Sequence, residues 1–210
     1  MKILHAALVC LTALPCMVAA ETIEAPIHRI SAQGVHDRLG TLSVRQGTGS
    51  VEIRVVLSEF PSGWHAMHVH QNPSCEPELQ DGEWVAGAAS GMHFDPTGVM
   101  ANMPGMTSGS DGMDMADSEG GMEMAHNMDG MEMPDDDPPP PGRKPRPLGD
   151  LPAVYTDEHG VTDSRILSYR LQLDQFRGRS VVLHAHPEAS EDLRLPRGGG
   201  EKIACAVLPN

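Results

Sequence analysis

The stretch Val51-Glu52-Ile53-Arg54-Val55-Val56-Leu57 decides how this chain is read. Apolar residues recur at alternate positions, with Glu52 and Arg54 between them, which is the period of a strand with one buried face. Gly47 and Gly49 mark its start. Just before them, Gly40-Thr41-Leu42-Ser43-Val44-Arg45 reads the same way, and His65 to His70 is a third run. The style resumes late in the chain. Arg165-Ile166-Leu167-Ser168-Tyr169-Arg170-Leu171, Ser180-Val181-Val182-Leu183-His184 and Lys202-Ile203-Ala204-Cys205-Ala206-Val207-Leu208 are further strand candidates. No helical period of useful length appears. Many short strands with turn punctuation predict an all-β, antiparallel sandwich or barrel.

One of these strands carries chemistry. In Trp64-His65-Ala66-Met67-His68-Val69-His70, alternation puts His68 and His70 on the same face, where two imidazoles can share a metal ion. His93 lies in the turn-rich Gly91-Met92-His93-Phe94-Asp95-Pro96, and His184 ends an apolar run. Four neutral imidazoles suit copper, and could serve zinc, iron or nickel; residue type alone does not choose. His65 is read as a structural hydrogen-bonding residue. His28, His36, His159 and His186 are given no role.

The ends and the charge bound the setting. Lys2, the apolar residues 3–20 and the small-residue pattern Val18-Ala19-Ala20 read as a secretory signal cleaved near Ala20, so a periplasmic or secreted protein is expected. Cys10 and Cys16 leave with it. The remaining pair, Cys75 and Cys205, reads in an exported protein as a disulfide in preference to two free thiols. The 210-residue chain has a formal charge of −14, which disfavours nucleic acid and anionic membrane surfaces as partners.

Residues 100–147 differ from both flanks. Methionines are spaced by glycine, serine and aspartate, then Pro134-Asp135-Asp136-Asp137 runs into Pro138 to Pro141. Such a segment cannot bury a core and is expected to be disordered without a ligand. Its Met113-Asp114-Met115, Met122-Glu123-Met124 and Met131-Glu132-Met133 units offer soft thioethers, which favour Cu(I). The expected organisation is a signal over 1–20, a barrel over 21–99 and 148–210, and this insert between.

The pieces His68-Val69-His70 with Cys75 after it, Gly91-Met92-His93-Phe94-Asp95-Pro96, Leu148-Gly149-Asp150-Leu151-Pro152, Gly178 to His184 and Gly198 to Val207 stand in one order. Together they resemble the copper/zinc superoxide dismutase family in its bacterial exported form. The resemblance spans about Ile30 to Leu208, without the insert. It implies an eight-stranded Greek-key β-barrel, an immunoglobulin-like sandwich. It maps His68, His70, His93 and His184 onto the copper ligands and His93 onto the histidine that bridges copper and zinc. Asp150 maps onto the zinc aspartate, Cys75 and Cys205 onto the intrasubunit disulfide, and Glu188 onto an outer-sphere aspartate.

The departures from that pattern are informative. Met100 stands near one expected zinc histidine and Pro147 at the other, so two of four zinc ligands survive, and zinc is not expected. The arginine beside the copper falls on Lys202, which keeps the charge and lacks the planar fork. The resemblance therefore implies a copper-only enzyme in the cell envelope. It would convert superoxide to oxygen and hydrogen peroxide by Cu(II)/Cu(I) cycling, with His93 as the ligand that takes a proton. Lys202 would attract the anion, and Arg194 and Arg197 would guide it. Expected partners are superoxide and copper ions or a copper donor protein, with a homodimer left open. The alternative is a non-catalytic exported copper buffer or chaperone on the same barrel.

Overall fold

The computed structural model describes residues 20–98, 146–188 and 197–210. The leader apart from Ala20, the insert apart from Arg146 and Pro147, all six Met-acid-Met methionines and Arg194 lie outside the described residues. The strands are β1 (Thr22–Ser31), β2 (Gly34–Gln46), β3 (Val51–Leu57), β4 (Gly63–His70), β5 (Glu78–Gln80), β6 (Glu83–Val85), β7 (Asp150–Thr156), β8 (Thr162–Ser168), β9 (Ser180–His184) and β10 (Lys202–Val207). Eight of them form one antiparallel sheet in the order β7-β4-β9-β10-β1-β2-β3-β8, and β5-β6 is a separate hairpin. The end strands β7 and β8 follow one another in the chain through a turn closed by Asp157 N–H donating to Val161 O at 3.0 Å. The sheet therefore curls into a nearly closed barrel. The β3–β4 and β8–β9 connections cross between non-adjacent strands, as in a Greek key.

Alternation in β3 is as the sequence dictates. Val51, Ile53, Val55 and Leu57 are buried, while Arg54 is exposed. Ile27, Leu42, Val44, Met67, Leu183 and Phe176 join them in one core. Two barrel strands have no counterpart in the expected set. In β1, Ile23, Ala25 and Ile27 alternate inward, but Pro26 interrupts the run. In β7, Pro152 does the same, and that strand lies at one end of the sheet order, where a missing N–H is tolerated. The strand expected over 165–171 instead runs Thr162–Ser168. Arg170 lies past its end and donates to the backbone oxygens of Arg146 and Pro147 at 3.0 and 3.4 Å.

Cys75 and Cys205 form a disulfide that closes a separation of 130 residues and fastens the loop after β4 to β10. Gly149 makes a close junction between Val69 and Phe94. Its carbonyl accepts from Val69 N–H at 2.8 Å, its N–H donates to Phe94 O at 2.7 Å, and Phe94 N–H donates to Val69 O at 2.8 Å. A Cβ at Gly149 would stand 2.5 Å from Val69 O, so only glycine fits where the histidine strand, the His93 loop and the start of β7 meet.

Candidate metal centre

Four histidines converge on one side of β4. His68 and His70 come from β4 itself, His184 from the end of β9, and His93 from a loop bridged to His70. Hydrogen-bonded pairing of His68 with Val182 puts β4 and β9 side by side, which brings His184 to the cluster. One nitrogen from each of His68, His70, His93 and His184 lies within 4.8 Å of all the others. His68, His70 and His184 are buried.

Local hydrogen bonds fix which nitrogen points inward. His70 Nδ1 donates to Gly91 O at 2.8 Å and His184 Nδ1 to Gly200 O at 2.8 Å, since a carbonyl can only accept. His93 Nδ1 faces the Asp150 carboxylate at 2.9 Å. Those partners hold the proton on Nδ1 and leave Nε2 as a lone-pair donor. His70 Nε2, His184 Nε2 and both nitrogens of His68 are buried without a hydrogen-bond partner. Unpartnered buried nitrogens are costly unless something else binds them. Here they all belong to one cluster, so the residues fit a metal that takes nitrogen ligands.

The electrostatics agree. Burial, and then the neighbouring His93, push His68 well below the usual imidazole range. Burial, with Lys202 next, lowers His70 to about 2. Burial lowers His184 to about 4, against the opposing bond to Gly200 O. Neutral imidazole is the form that binds metal.

Lys202 sits behind this cluster. Its ammonium donates to Gly87 O at 3.1 Å, Ser90 Oγ at 2.9 Å and Gly91 O at 3.5 Å, and burial lowers it to about 8. Its charge is felt at His70 and His184, as expected of a cation beside the site. Its donors are nonetheless engaged by the loop. Ser90, a buried hydroxyl with no recognisable motif, joins the two: Oγ donates to Gly87 O at 2.7 Å and stands 3.0 Å from His70 Nδ1. His65 is structural, with Nδ1 2.9 Å from His184 O and Nε2 2.8 Å from Pro61 O. Its ring spans the entry to β4 and the end of β9.

The position of a second metal looks different. Asp150 and His93 are paired with each other. Pro147 offers no side-chain donor, and its neighbour Arg146 donates to Glu188 Oε2 at 2.8 Å. Donor atoms of His68, Asp150 and Glu188 also lie within 4.8 Å of one another, on the side of His68 that meets β7.

A barrel that gathers four inward-facing imidazoles from two strands and a loop defines a histidine-rich metal centre. The chain belongs to the copper/zinc superoxide dismutase family. The family described as "Copper/zinc superoxide dismutase (SODC)" matches residues 39–208. The protein is similar to "Superoxide dismutase [Cu-Zn] 2" of Salmonella typhimurium, 28% identical over 99% of each chain. It is also similar to "Superoxide dismutase [Cu-Zn]" of Haemophilus parainfluenzae, 27% identical over 90% of this chain and 83% of that one. Among solved structures, the monomeric copper, zinc superoxide dismutase from Salmonella enterica superposes with a TM-score of 0.62 at 26% identity, covering 90% of this chain and 99% of the other. The Cu/Zn superoxide dismutase from Brucella abortus shares the fold, with a TM-score of 0.64 at 24% identity, covering 89% of this chain and 99% of that one.

Proposed function

We propose that this protein is an exported, copper-dependent superoxide dismutase that works without zinc. The observation that carries the reading is the set of buried, unpartnered imidazole nitrogens on His68, His70 and His184, which meet His93 at one point. His68, His70, His93 and His184 would hold the copper. Bound there, copper supplies a one-electron couple that can oxidise one superoxide and reduce another. The chain's own residues do the rest. Gly91 O, Gly200 O and Asp150 keep the rings oriented with Nε2 free. Lys202 raises the local positive potential in a protein whose net charge repels anions. Asp150 would hold the proton on His93 Nδ1.

Copper-only function is supported by Pro147, which has no side-chain donor, at a zinc-ligand position. Met113, Met115, Met122, Met124, Met131 and Met133 would add a soft Cu(I)-binding strip in an insert over 100–147, between barrel segments 21–99 and 148–210. Export after cleavage near Ala20 fits a protein that keeps one disulfide. One observation favours a second role as an exported copper buffer or chaperone: the Lys202 donors are engaged by the loop, which weakens direct capture of an anion.

The test is a copper titration of the purified mature protein against a competing chelator, followed by electron paramagnetic resonance. A single tight Cu(II) site with nitrogen coupling, lost in His184→Ala and retained without zinc, is expected. Copper that binds equally well in His184→Ala would defeat the assignment. Deleting residues 100–133 should lower Cu(I) stoichiometry and leave the Cu(II) site intact; unchanged Cu(I) stoichiometry would remove the role of the strip.

A further inference from the structure

Beside the histidine cluster lies a second group of charged side chains, Asp150, Glu188 and Arg146. The Asp150 side chain is 4% exposed and that of Glu188 is 28% exposed. Their carboxylates lie within 4.8 Å of each other and of a His68 nitrogen. Carboxylates brought this close repel unless a proton, a metal ion or a fixed cation lies with them. Burial first, and then the neighbouring Asp150 charge, push the Glu188 carboxyl upward.

The chain supplies its own cation. The Arg146 guanidinium donates to Glu188 Oε2 at 2.8 Å, and its charge reaches the His68 ring. Its backbone is anchored as well. Arg170 donates to Arg146 O at 3.0 Å and to Pro147 O at 3.4 Å, while Asp150 N–H donates to Pro147 O at 3.2 Å. Arg146 is thus delivered to Glu188 from a pinned segment that leads straight into Asp150. A guanidinium has no lone pair to offer a metal and stays charged at any working pH, so it neither competes for copper nor titrates away.

We propose that Arg146 is a tethered counter-cation standing in for a second metal ion: paired with Glu188 beside Asp150, it balances the carboxylates that would otherwise recruit a divalent cation and leaves Asp150 to orient His93. The inference rests on the copper-only reading and gives it a cause. Zinc is then kept out by an occupied charge position as well as by missing ligands. Asp150, with no metal to bind, is free to accept the His93 Nδ1–H bond at 2.9 Å that fixes Nε2.

The test uses the full mature chain loaded with one copper, with Co(II) as a spectroscopic probe and Zn(II) by calorimetry. Arg146→Gln removes the charge at a side chain that is 56% exposed, so folding should survive, checked by circular dichroism. The expected result is that wild type takes up no second divalent ion, whereas Arg146→Gln binds one at least tenfold more tightly. The double variant Arg146→Gln/Glu188→Gln should lose that gain, because the gain requires the carboxylate. Equal, negligible binding by wild type and Arg146→Gln would overturn the role of Arg146 and leave the copper-only reading standing. Stoichiometric tight zinc in wild type would overturn both. A gain in Arg146→Gln that survives in the double variant would also overturn it, since binding would then lie elsewhere.

Discussion

Acidifying the metal-free protein should unfold it through the metal site itself. Burial holds His68, His70 and His184 below their ordinary value of 6.5, with His70 at about 2 and His184 at about 4. The unfolded chain returns these rings to water, where each takes a proton near the ordinary value. Between the folded and unfolded values the unfolded state binds more protons, so stability falls as pH falls. For His184 the loss ends near pH 4, and for His70 near pH 2. Inside its window each ring contributes a slope of ~1.4 kcal/mol per pH unit, so a drop to about pH 5 costs roughly 2 kcal/mol per ring and roughly 6 kcal/mol for three. With a urea m-value of about 2 kcal/mol/M, the midpoint should fall by roughly 3 M. The assay is urea unfolding of chelator-treated protein, followed by circular dichroism at about pH 7.5 and about pH 5, bracketing the proton uptake. His68→Gln supplies the control, because carboxylates elsewhere titrate equally in both proteins. It should reduce the pH slope by ~1.4 kcal/mol per unit. Copper, which binds only neutral imidazole, should raise the midpoint at both pH values and leave the slope in place, because the unfolded rings still take up protons. A midpoint that does not move with pH, or a slope unchanged in His68→Gln, would refute the claim that these rings are buried and neutral.

Three further outcomes are expected. Replacing Cys75 and Cys205 by serine opens a loop of 130 residues; chain entropy predicts a loss of about 5 kcal/mol, read from urea midpoints, and a loss below about 1 kcal/mol would contradict it. Ser90→Ala removes the hydroxyl shared by Lys202, Gly87 O and His70, and should cost about 1–3 kcal/mol in thermal unfolding. The same variant should make catalysis more sensitive to salt as Lys202 loosens, and an unaltered salt dependence would count against the network. Gly149→Ala forces a Cβ toward Val69 O and should weaken copper binding by displacing the His93 loop; unchanged affinity in a chelator competition would show that the junction does not position His93.

Much of this was legible in the sequence because the signals were local. The alternation in Val51–Leu57 gives β3 directly, and His68-Val69-His70 sets two imidazoles on one face by strand period alone. Bringing His93 and His184 to them took a pattern of motifs, because the contact depends on β4 lying beside β9 and on the junction at Gly149. β1 and β7 escaped because Pro26 and Pro152 break the local strand pattern, and the barrel tolerates both. Ser90 and Arg146 escaped for another reason. Neither belongs to a spacing that chemistry requires; each matters through what the fold sets beside it, His70 and Lys202 for the one, Glu188 and Asp150 for the other. Lys202 shows the converse: its charge was foreseeable, but the engagement of its donors by Gly87, Ser90 and Gly91 was not.

The most direct test of the account is superoxide decay by pulse radiolysis, with mature protein carrying one copper and no zinc and with a chelator present to hold free copper. The account predicts catalytic decay in proportion to bound copper, unaffected by added zinc and abolished in His184→Ala. Decay no faster than the chelated-copper control, or activity that appears only when zinc is added, would contradict it.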